Sequence, residues 1–246
     1  MTSTQHGSAE PGPYREYPAV RGLQHLVSCL WENDVQDRQH TVIPDGCVDL
    51  IWLGHHGLVV AGADTGPRLS GPIPGPVCGI RLRPGAAGTV LGLPAAELRD
   101  QLVPVEHVWQ RSGPELAATM AEADAERRLA ILTEAVLVRR GAPDPVVVQA
   151  ATKLAEPGVR VSAAAADLGL SERQLNRRLL HAVGYGPKML ARVARLRRLI
   201  AADEPSLALR ALAAGYASQA HMNEEVRRLT GDSAGRFLKD AALTAA

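Results

Sequence analysis

The side chains best suited to specific chemistry in this sequence are arginines and an amide gathered in one short segment. Arg173, Asn176 and Arg177 occur close together, and Arg178 follows directly. An arginine guanidinium can donate two hydrogen bonds to the edge of a guanine base, and an asparagine amide can pair with an adenine edge. These residue types at this spacing predict recognition of double-stranded DNA.

A second segment of similar layout follows and differs from the first in charge. When the two are aligned from the glycines that end their helices, Glu224 and Glu225 correspond to Arg177 and Arg178. Both glutamates are expected to point outward, where phosphate repels carboxylates, although a carboxylate can accept a hydrogen bond from a cytosine amino group. We therefore predict that the first segment supplies most of the base contacts.

The second segment still has polar groups that can reach DNA. Gln219, Ala220 and Asn223 are predicted to face outward. Arg227 or Arg228 can bind phosphate together with the N-terminus of the helix. The residues expected to contact DNA are Ser171, Arg173, Gln174, Asn176, Arg177, Arg178, Ser218, Gln219, Ala220, Asn223 and Arg227.

Both segments lie in a repeated pattern of a short helix, a glycine turn and a second helix, at Ser162–Gly184 and Ser206–Gly231. The turn glycines, Gly169 and Gly215, are 46 residues apart, and the glycines that end the two units are 47 apart. Glycine suits such a turn because it adopts positive φ without strain. A tandem helix-turn-helix can place two helices in successive major grooves on one face of DNA.

Serine residues are predicted to cap the helices of both units. Ser171 and Gln174 form an S-x-x-Q capping box, and Ser162, Ser206 and Ser218 precede the other helices. Apolar residues at i, i+4 spacing share one helix face and should point into the core of each unit. These residues are Leu175 and Leu179, then Met222 and Val226.

DNA binding has to be weighed against plainer interpretations. Arginine-rich helix faces are often only solvated surface, and isolated helix-turn-helix patterns arise by chance. Two units that both have glycine turns, caps and basic flanks are a much rarer coincidence, so DNA binding is favoured. The alternative is a protein-binding co-regulator with weakened DNA affinity, for which Glu224 and Glu225 are the main argument.

Roughly residues 146–240 resemble the AraC/XylS family of bacterial transcription regulators. The resemblance rests on Leu168–Arg177, Gly184–Pro187 and Ala213–Met222. It implies sequence-specific DNA binding by two recognition helices joined by a long linker helix, here Lys188–Ala202. The residues that it implies at the DNA are Arg173, Asn176, Arg177, Gln219 and Ala220. The departures from the family pattern lie in the second unit, at Met222, Glu224, Val226 and Ser233–Ala234.

Charge separates the two halves of the chain. Residues 1–145 contain 12 basic and 17 acidic residues, whereas residues 146–246 contain 15 basic and 9 acidic residues. A basic module behind an acidic one is expected when only one part of a chain meets phosphate. The charge pattern therefore agrees with a DNA-binding C-terminal domain.

The chain divides into four predicted parts. Glycine and proline punctuate short apolar runs up to about residue 110, which is typical of a β-sandwich or barrel. The parts are a disordered tail at 1–13, a β-rich sensor domain with accessory helices at 14–110, a helical connector or dimer region at 111–143, and an all-α tandem helix-turn-helix domain at 144–240. The predicted fold class is therefore α+β.

Element boundaries follow from the same pattern. Strands are expected at Leu26–Trp31, Thr41–Ile43, Val48–Leu53, Leu58–Ala61 and Val77–Leu82. Helices are expected at Ala86–Leu91, at Pro94–Leu102 and, without a break, over Pro114–Arg140. The tryptophans are expected in the core and are Trp31, Trp52 and Trp109.

The N-terminal half also has a known counterpart. Val42–Leu50 and Gly79–Ala87 resemble an uncharacterised domain that is often found ahead of AraC-type modules. The resemblance implies a sensory role, and we expect control by a small-molecule effector or by homodimerisation. RNA polymerase is a further expected partner.

Four charged residues in these segments form a candidate cluster. Asp45 and Asp49 are expected to pair with Arg81 and Arg83 across neighbouring strands. Buried charge needs such pairing whatever its role. The cluster is either structural, which is the favoured alternative, or the polar floor of a ligand pocket.

Other function classes find little support. Cys29, Cys47 and Cys78 are odd in number and lack zinc-finger spacing, so no metal or cofactor is expected, and a metal or redox role for Cys47 is a minor alternative. Some AraC-type modules are fused to alkyl-transfer repair enzymes, but the four-cysteine set and the Pro-Cys-His-Arg motif of those enzymes are missing, so no enzymatic activity is predicted. The free thiols, the polar start and the lack of a long apolar run predict a cytoplasmic protein.

Overall fold

A computed structural model gives the fold and describes residues 14–33 and 39–244, so the tail predicted at 1–13 lies outside the described residues. Eight strands form within these ranges: β1 Arg15–Pro18, β2 Val27–Asn33, β3 His40–Val42, β4 Val48–Trp52, β5 Leu58–Ala61, β6 Arg68–Ser70, β7 Val77–Leu82 and β8 Leu102–Pro104. Six of them build one antiparallel sheet in the order β1-β2-β7-β4-β5-β8, and β3 pairs with β6 as a separate ribbon.

Eleven α-helices and two short 3₁₀ helices account for the remaining regular structure of the described residues. The α-helices are α1 Ala87–Leu91, α2 Val105–Val108, α3 Gly113–Glu122, α4 Ala125–Val138, α5 Pro145–Ala155, α6 Val161–Asp167, α7 Glu172–Val183, α8 Pro187–Ala201, α9 Leu207–Ala214, α10 Gln219–Thr230 and α11 Ala234–Thr244. The predicted α+β fold, with a β-rich part before an all-helical tandem helix-turn-helix part, is confirmed.

Alternation along the central strands separates the two faces of the sheet. Leu30, Ile80 and Leu50 are neighbours on β2, β7 and β4 and are buried. Apolar residues of α4, which contacts β7, belong to the same core. Because successive side chains in a strand point to opposite faces, Asp49 and Arg81 lie together on the other face, directly opposite each other in the strand register.

The helix predicted at Pro94–Leu102 is wrong. A 3₁₀ turn forms at Ala95–Glu97, and the chain then enters β8, which pairs with β5. Gly62 N donates to Gln101 O at 2.9 Å just before that pairing. The partner strand provides these hydrogen bonds, so tertiary context overrides local propensity. The strands missing from the sequence predictions, β1, β6 and β8, are three or four residues long and lie at sheet edges or in the ribbon.

The unbroken helix predicted over Pro114–Arg140 is also wrong. Ala123 is extended, with ψ of 149°, and separates α3 from α4. Asp124 then restarts the helix, because its side chain accepts a hydrogen bond from Arg127 N at 2.8 Å. A side-chain cap of this kind satisfies a backbone N–H that has no partner inside the helix.

One hydrophobic core runs from the N-terminal sheet into the first helix-turn-helix unit. It includes Leu50 of β4, Leu132 of α4 and Leu179 of α7, all fully buried. α7 also contacts α1 and the 3₁₀ turn at Ala95–Glu97. The second unit has a separate core, which includes Met222. The first unit is therefore attached to the N-terminal domain through its interior, whereas the second is built around its own.

Candidate nucleic-acid interface

The first helix-turn-helix unit consists of α6, a glycine turn and α7. Gly169 makes the turn with φ of +66°. The predicted capping box is confirmed, since Ser171 Oγ accepts from Gln174 N at 3.3 Å and Gln174 Oε1 accepts from Ser171 N at 2.9 Å. These bonds satisfy backbone N–H groups at the start of α7 and fix where the helix begins.

The other predicted caps have mixed outcomes. Ser206 and Ser218 cap α9 and α10 as predicted, with their hydroxyl oxygens accepting backbone hydrogen bonds at 3.3 Å and 3.1 Å. The cap predicted at Ser162 is wrong, because α6 begins at Val161, two residues before the predicted start at Ala163, and has no side-chain cap. Ser162 thus lies inside the first turn of α6.

One face of α7 is buried and the opposite face is open. Leu175 and Leu179 are fully buried, as predicted. Arg173, Asn176 and Arg177 are exposed on the remaining surface of the helix. α7 therefore presents two guanidinium groups and one amide to solvent, which are the groups that bind purine edges in the major groove.

Arg178 differs from its neighbours because it is already paired. Its Nη1 donates to Asp144 Oδ2 at 2.5 Å. The other oxygen of Asp144 accepts from Val146 N at 2.9 Å and caps α5. The ion pair connects α7 to the start of α5, so any contact of Arg178 with DNA has to compete with it.

The second unit keeps the same plan. Gly215 makes its turn with φ of +86°, and Met222 and Val226 are fully buried, as predicted. Gln219 and Ala220 are exposed at the start of α10. Of the other predicted contact residues, Ser218 precedes the helix as its exposed cap, Asn223 is half-buried and Arg227 is exposed. Exposed polar side chains therefore extend along α10 from Gln219 to Arg228.

The expectation that Glu225 points outward is wrong. Glu225 is buried and lies between two arginines of the linker helix α8, with Oε1 2.9 Å from Arg192 Nε and Oε2 3.0 Å from Arg195 Nη1. A buried carboxylate needs such compensation. Arg192 and Arg195 are three residues apart and share one helix face, which could have indicated a carboxylate partner without identifying it.

Glu224 is exposed, as predicted, but it also has a partner. Its carboxylate pairs with Arg228 one turn later on α10. Both side chains are more than 60% exposed, so solvent screens the pair strongly. The two glutamates of the second unit therefore have different roles. Glu225 connects α10 to α8 through a buried ion pair, whereas Glu224 forms a solvated ion pair within α10.

The predicted charged cluster of the N-terminal domain forms around Arg81. Arg81 Nη2 lies 3.2 Å from Asp49 Oδ2, and Arg81 Nε lies 3.4 Å from Asp45 Oδ2. Trp31 Nε1 donates to Asp49 Oδ2 at 3.1 Å. Burial raises the pKa of Asp49 to about 6, although the Arg81 guanidinium beside it acts in the opposite direction. Arg83 is not part of the cluster, because it is exposed and donates to Gln24 O at 2.7 Å.

Other candidate chemistry is not supported by the geometry. Burial raises the pKa of the Cys47 thiol well above its ordinary value, so the reactive thiolate is disfavoured. In residues 14–33 and 39–244, no group of three His, Cys, Asp or Glu side chains is placed to hold a metal ion. Nor does any helix of the described chain combine the length and apolar character needed to span a membrane.

Solved structures of ToxT from Vibrio cholerae are similar to this chain. The apo form of a ToxT variant from strain SCE256 is 10% identical, covering 85% of this chain and 97% of that chain with a TM-score of 0.46. ToxT from strain O395 is 11% identical, covering 85% and 97% with a TM-score of 0.44. A third ToxT structure, at 1.65 Å resolution, is 12% identical, covering 85% and 98% with a TM-score of 0.45.

Family models match both halves of the chain. Residues 15–104 match a family described as a domain of unknown function (DUF6597), and residues 148–240 match a family described as a helix-turn-helix domain. The sequence has no significant match among curated proteins. The chain thus carries a DUF6597 domain followed by a helix-turn-helix domain of AraC type, and this arrangement supports a DNA-binding transcription regulator.

Proposed function

We propose that this regulator binds specific DNA sequences mainly through α7 and that its N-terminal domain controls the binding. The observation that carries the proposal is the open face of α7. Arg173, Asn176 and Arg177 are exposed there, while Leu175 and Leu179 are fully buried beneath them. A helix held in this way offers base-reading side chains on a rigid support.

Each predicted contact has a proposed role. Arg173 and Arg177 bind guanine edges and Asn176 an adenine edge, while Gln219 and Ala220 make lesser base contacts from the first turn of α10. The remaining residues position the helices on the phosphate backbone, through the helix N-termini or through charge. They are Ser171, Gln174, Arg178, Ser218, Asn223 and Arg227.

Control is proposed to reach α7 through the shared core. Residues 14–110 act as the sensor, residues 111–143 as the connector or dimer region, and residues 144–240 as the DNA-binding domain. The effector is a small molecule or a second copy of the chain, and RNA polymerase is the partner at the promoter. Asp45, Asp49 and Arg81 are candidate ligand contacts, whereas Arg83 lies apart from them.

The experiment is a selection of bound DNA from a random pool with the full-length protein. We expect one enriched motif for α7 and a weaker one beside it for α10. Affinity for the selected site should fall steeply as salt rises, because bound phosphates release counterions. A pool that shows no enrichment and no binding at low salt would overturn the proposal.

The alternative of a co-regulator with weakened DNA affinity keeps only half of its main argument. That argument needed Glu224 and Glu225 to face the phosphates. Glu225 is instead buried against α8, and Glu224 is paired with Arg228. We therefore do not advance it as a second function.

A further inference from the structure

The indole N–H groups of the tryptophans are not equally satisfied. Trp31 Nε1 donates to Asp49 Oδ2 at 3.1 Å, and Trp109 Nε1 donates to Leu91 O at 3.3 Å. Trp52 is buried at 5% exposure, and its Nε1 has no acceptor among residues 14–33 and 39–244. A buried N–H without an acceptor is unfavourable and uncommon in folded proteins, so this group is a candidate ligand contact.

Arg128 of α4 is held next to this indole. Its guanidinium carbon lies 5.1 Å from the centroid of the Trp52 ring. Its Nε donates to Met120 O at 3.0 Å, which orients the side chain. Within the described chain, no carboxylate lies within ion-pair distance of Arg128, so the amino groups at the end of the guanidinium are available to an anion.

Trp52 and Arg128 line the same cleft, which has a volume of about 800 Å³. The cleft lies between α3, α4 and the loops that follow β4 and precede β7. Its other walls include Ala117, Ala121, Pro74 and Pro76, and none of its described lining residues is acidic. Binding sites for small molecules typically combine apolar walls with a few convergent polar groups.

We propose that this cleft, rather than the cluster of Asp45, Asp49 and Arg81, binds a small organic carboxylate as the effector of the regulator. The carboxylate accepts hydrogen bonds from Trp52 Nε1 and from the Arg128 guanidinium, whose planar fork matches a carboxylate. The apolar body of the ligand lies against the alanines and prolines. This inference rests on the proposed function, since it names the class of molecule that is sensed, at a site formed jointly by residues of the sensor and of the connector.

The position of the cleft explains how occupancy reaches the DNA-binding domain. Met120 and Leu132 lie on α3 and α4, the two helices that line the cleft, and belong to the core that continues to Leu175 and Leu179 of α7. A ligand that ties α4 to Trp52 restrains one end of this core. A change in DNA affinity then requires only that the bound and free states of the core differ in their preference for DNA.

The test is a titration of the full-length, ¹⁵N-labelled protein with cyclohexanecarboxylate, observed at the indole N–H resonances. The Trp52→Phe variant identifies the Trp52 resonance by its loss. We expect that resonance to move downfield and saturate, while those of Trp31 and Trp109 stay in place. The aliphatic probe adds no ring current to the shift. Cyclohexylmethanol, which lacks the carboxylate, should cause no saturating shift.

Two variants of α4 separate a specific contact from general charge. Arg128→Gln should weaken binding of cyclohexanecarboxylate about tenfold or more, because a charge-assisted bond is lost. Arg127→Gln is the matched control, since Arg127 is exposed and paired with Glu134, and it should leave binding unchanged. Retained resonances of Trp31 and Trp109 show that each variant is folded.

Several results would overturn the inference. They are the lack of a saturating shift at Trp52, an equal response to the alcohol, or an equal loss in the two arginine variants. The DNA selection is run on the same protein without any carboxylate. If cyclohexanecarboxylate does not bind in the cleft but the DNA selection succeeds, only this inference is wrong. If the DNA selection fails, the proposed function is wrong.

Discussion

The two helix-turn-helix units share a backbone plan but are held in different ways. Each has a glycine turn, a serine cap on its recognition helix and a buried apolar pair at i, i+4 spacing. The first unit shares its core with the N-terminal sheet, whereas the second has a core of its own. Two units with the same local structure are therefore packed differently against the rest of the protein.

The two units also differ in charge. Sequence alignment places acidic residues of the second unit where the first has arginines, but it does not show that one of these acids is buried. Arg178 of the first unit is exposed and paired with Asp144, but Glu225, its counterpart in the second unit, is buried against Arg192 and Arg195. The acid in the second unit therefore acts inside the protein and braces α10 against α8. The N-terminal domain can influence the first unit directly, while the linker helix positions the second.

The largest effect is expected from Glu225→Ala, which leaves two arginines without their carboxylate. Removing one side of a buried ion pair costs about 3–5 kcal/mol, and the lower end applies because both arginines reach water. The free energy of unfolding, measured with urea on the full chain, should fall by about 3 kcal/mol. Glu224→Ala is the matched control and should cost less than about 1 kcal/mol. Equal losses would show that Glu225 is not a brace.

The next effect concerns DNA binding by the two recognition helices. Arg177→Ala should cost about 1–3 kcal/mol at one base position of the selected site, because a bidentate base contact is lost. Arg227→Ala should weaken binding to all sequences and lower the salt dependence, as expected for a phosphate contact. Competition titrations with single-base variants of the site measure both. A uniform loss for Arg177→Ala would instead make it a phosphate anchor.

A smaller effect compares the glycines that end α7 and α10. Both have positive φ, +97° at Gly184 and +80° at Gly231, so alanine is strained at either position by about 1–2 kcal/mol. A Cβ on Gly184 would also lie 3.1 Å from Ala95 O, whereas one on Gly231 would meet Pro67 Cγ at 3.7 Å. Gly184→Ala should therefore lower the free energy of unfolding more than Gly231→Ala. If urea titrations show that both variants lose the same free energy of unfolding, the close contact between Gly184 and Ala95 of the N-terminal domain does not affect stability.

The last effect is a dependence of stability on pH, which is spread over about two pH units. The pKa of Asp49 rises from 3.8 to about 6 in the folded chain, so the folded state binds this proton more tightly than the unfolded state. The stability that Asp49 contributes is present below about pH 4 and is lost as pH rises to 6, by no more than about 1.4 kcal/mol per pH unit. Asp49→Asn should remove this slope. Urea unfolding at pH 4.5 and 6.5, followed by tryptophan fluorescence, measures it.

Local signals gave correct predictions where the interacting groups are close in sequence. The capping box at Ser171 and Gln174, the turn at Gly169 and the buried pair Leu175 and Leu179 all depend on residues within one or two helical turns. Helix geometry alone places such residues together. The exposed face of α7 follows directly from the buried one.

Tertiary partners decided the predictions that failed. Pro94–Leu102 becomes a turn and a strand because β5 offers it hydrogen bonds. Arg83 is not in the charged cluster because its side chain donates a hydrogen bond to the carbonyl of Gln24, which is 59 residues away in the sequence. Nothing local to either segment indicates these partners.

The sequence by itself determined the two capped helix-turn-helix units, the base-reading residue types on α7 and the β-rich domain ahead of them, because period and capping are local properties. Only the tertiary structure decided that Glu225 turns inward, since Arg195 is 30 residues away. It also decided that the sheet and the first unit share one core and that Trp52 meets Arg128. Those contacts depend on how separate elements pack, which no short stretch of sequence specifies.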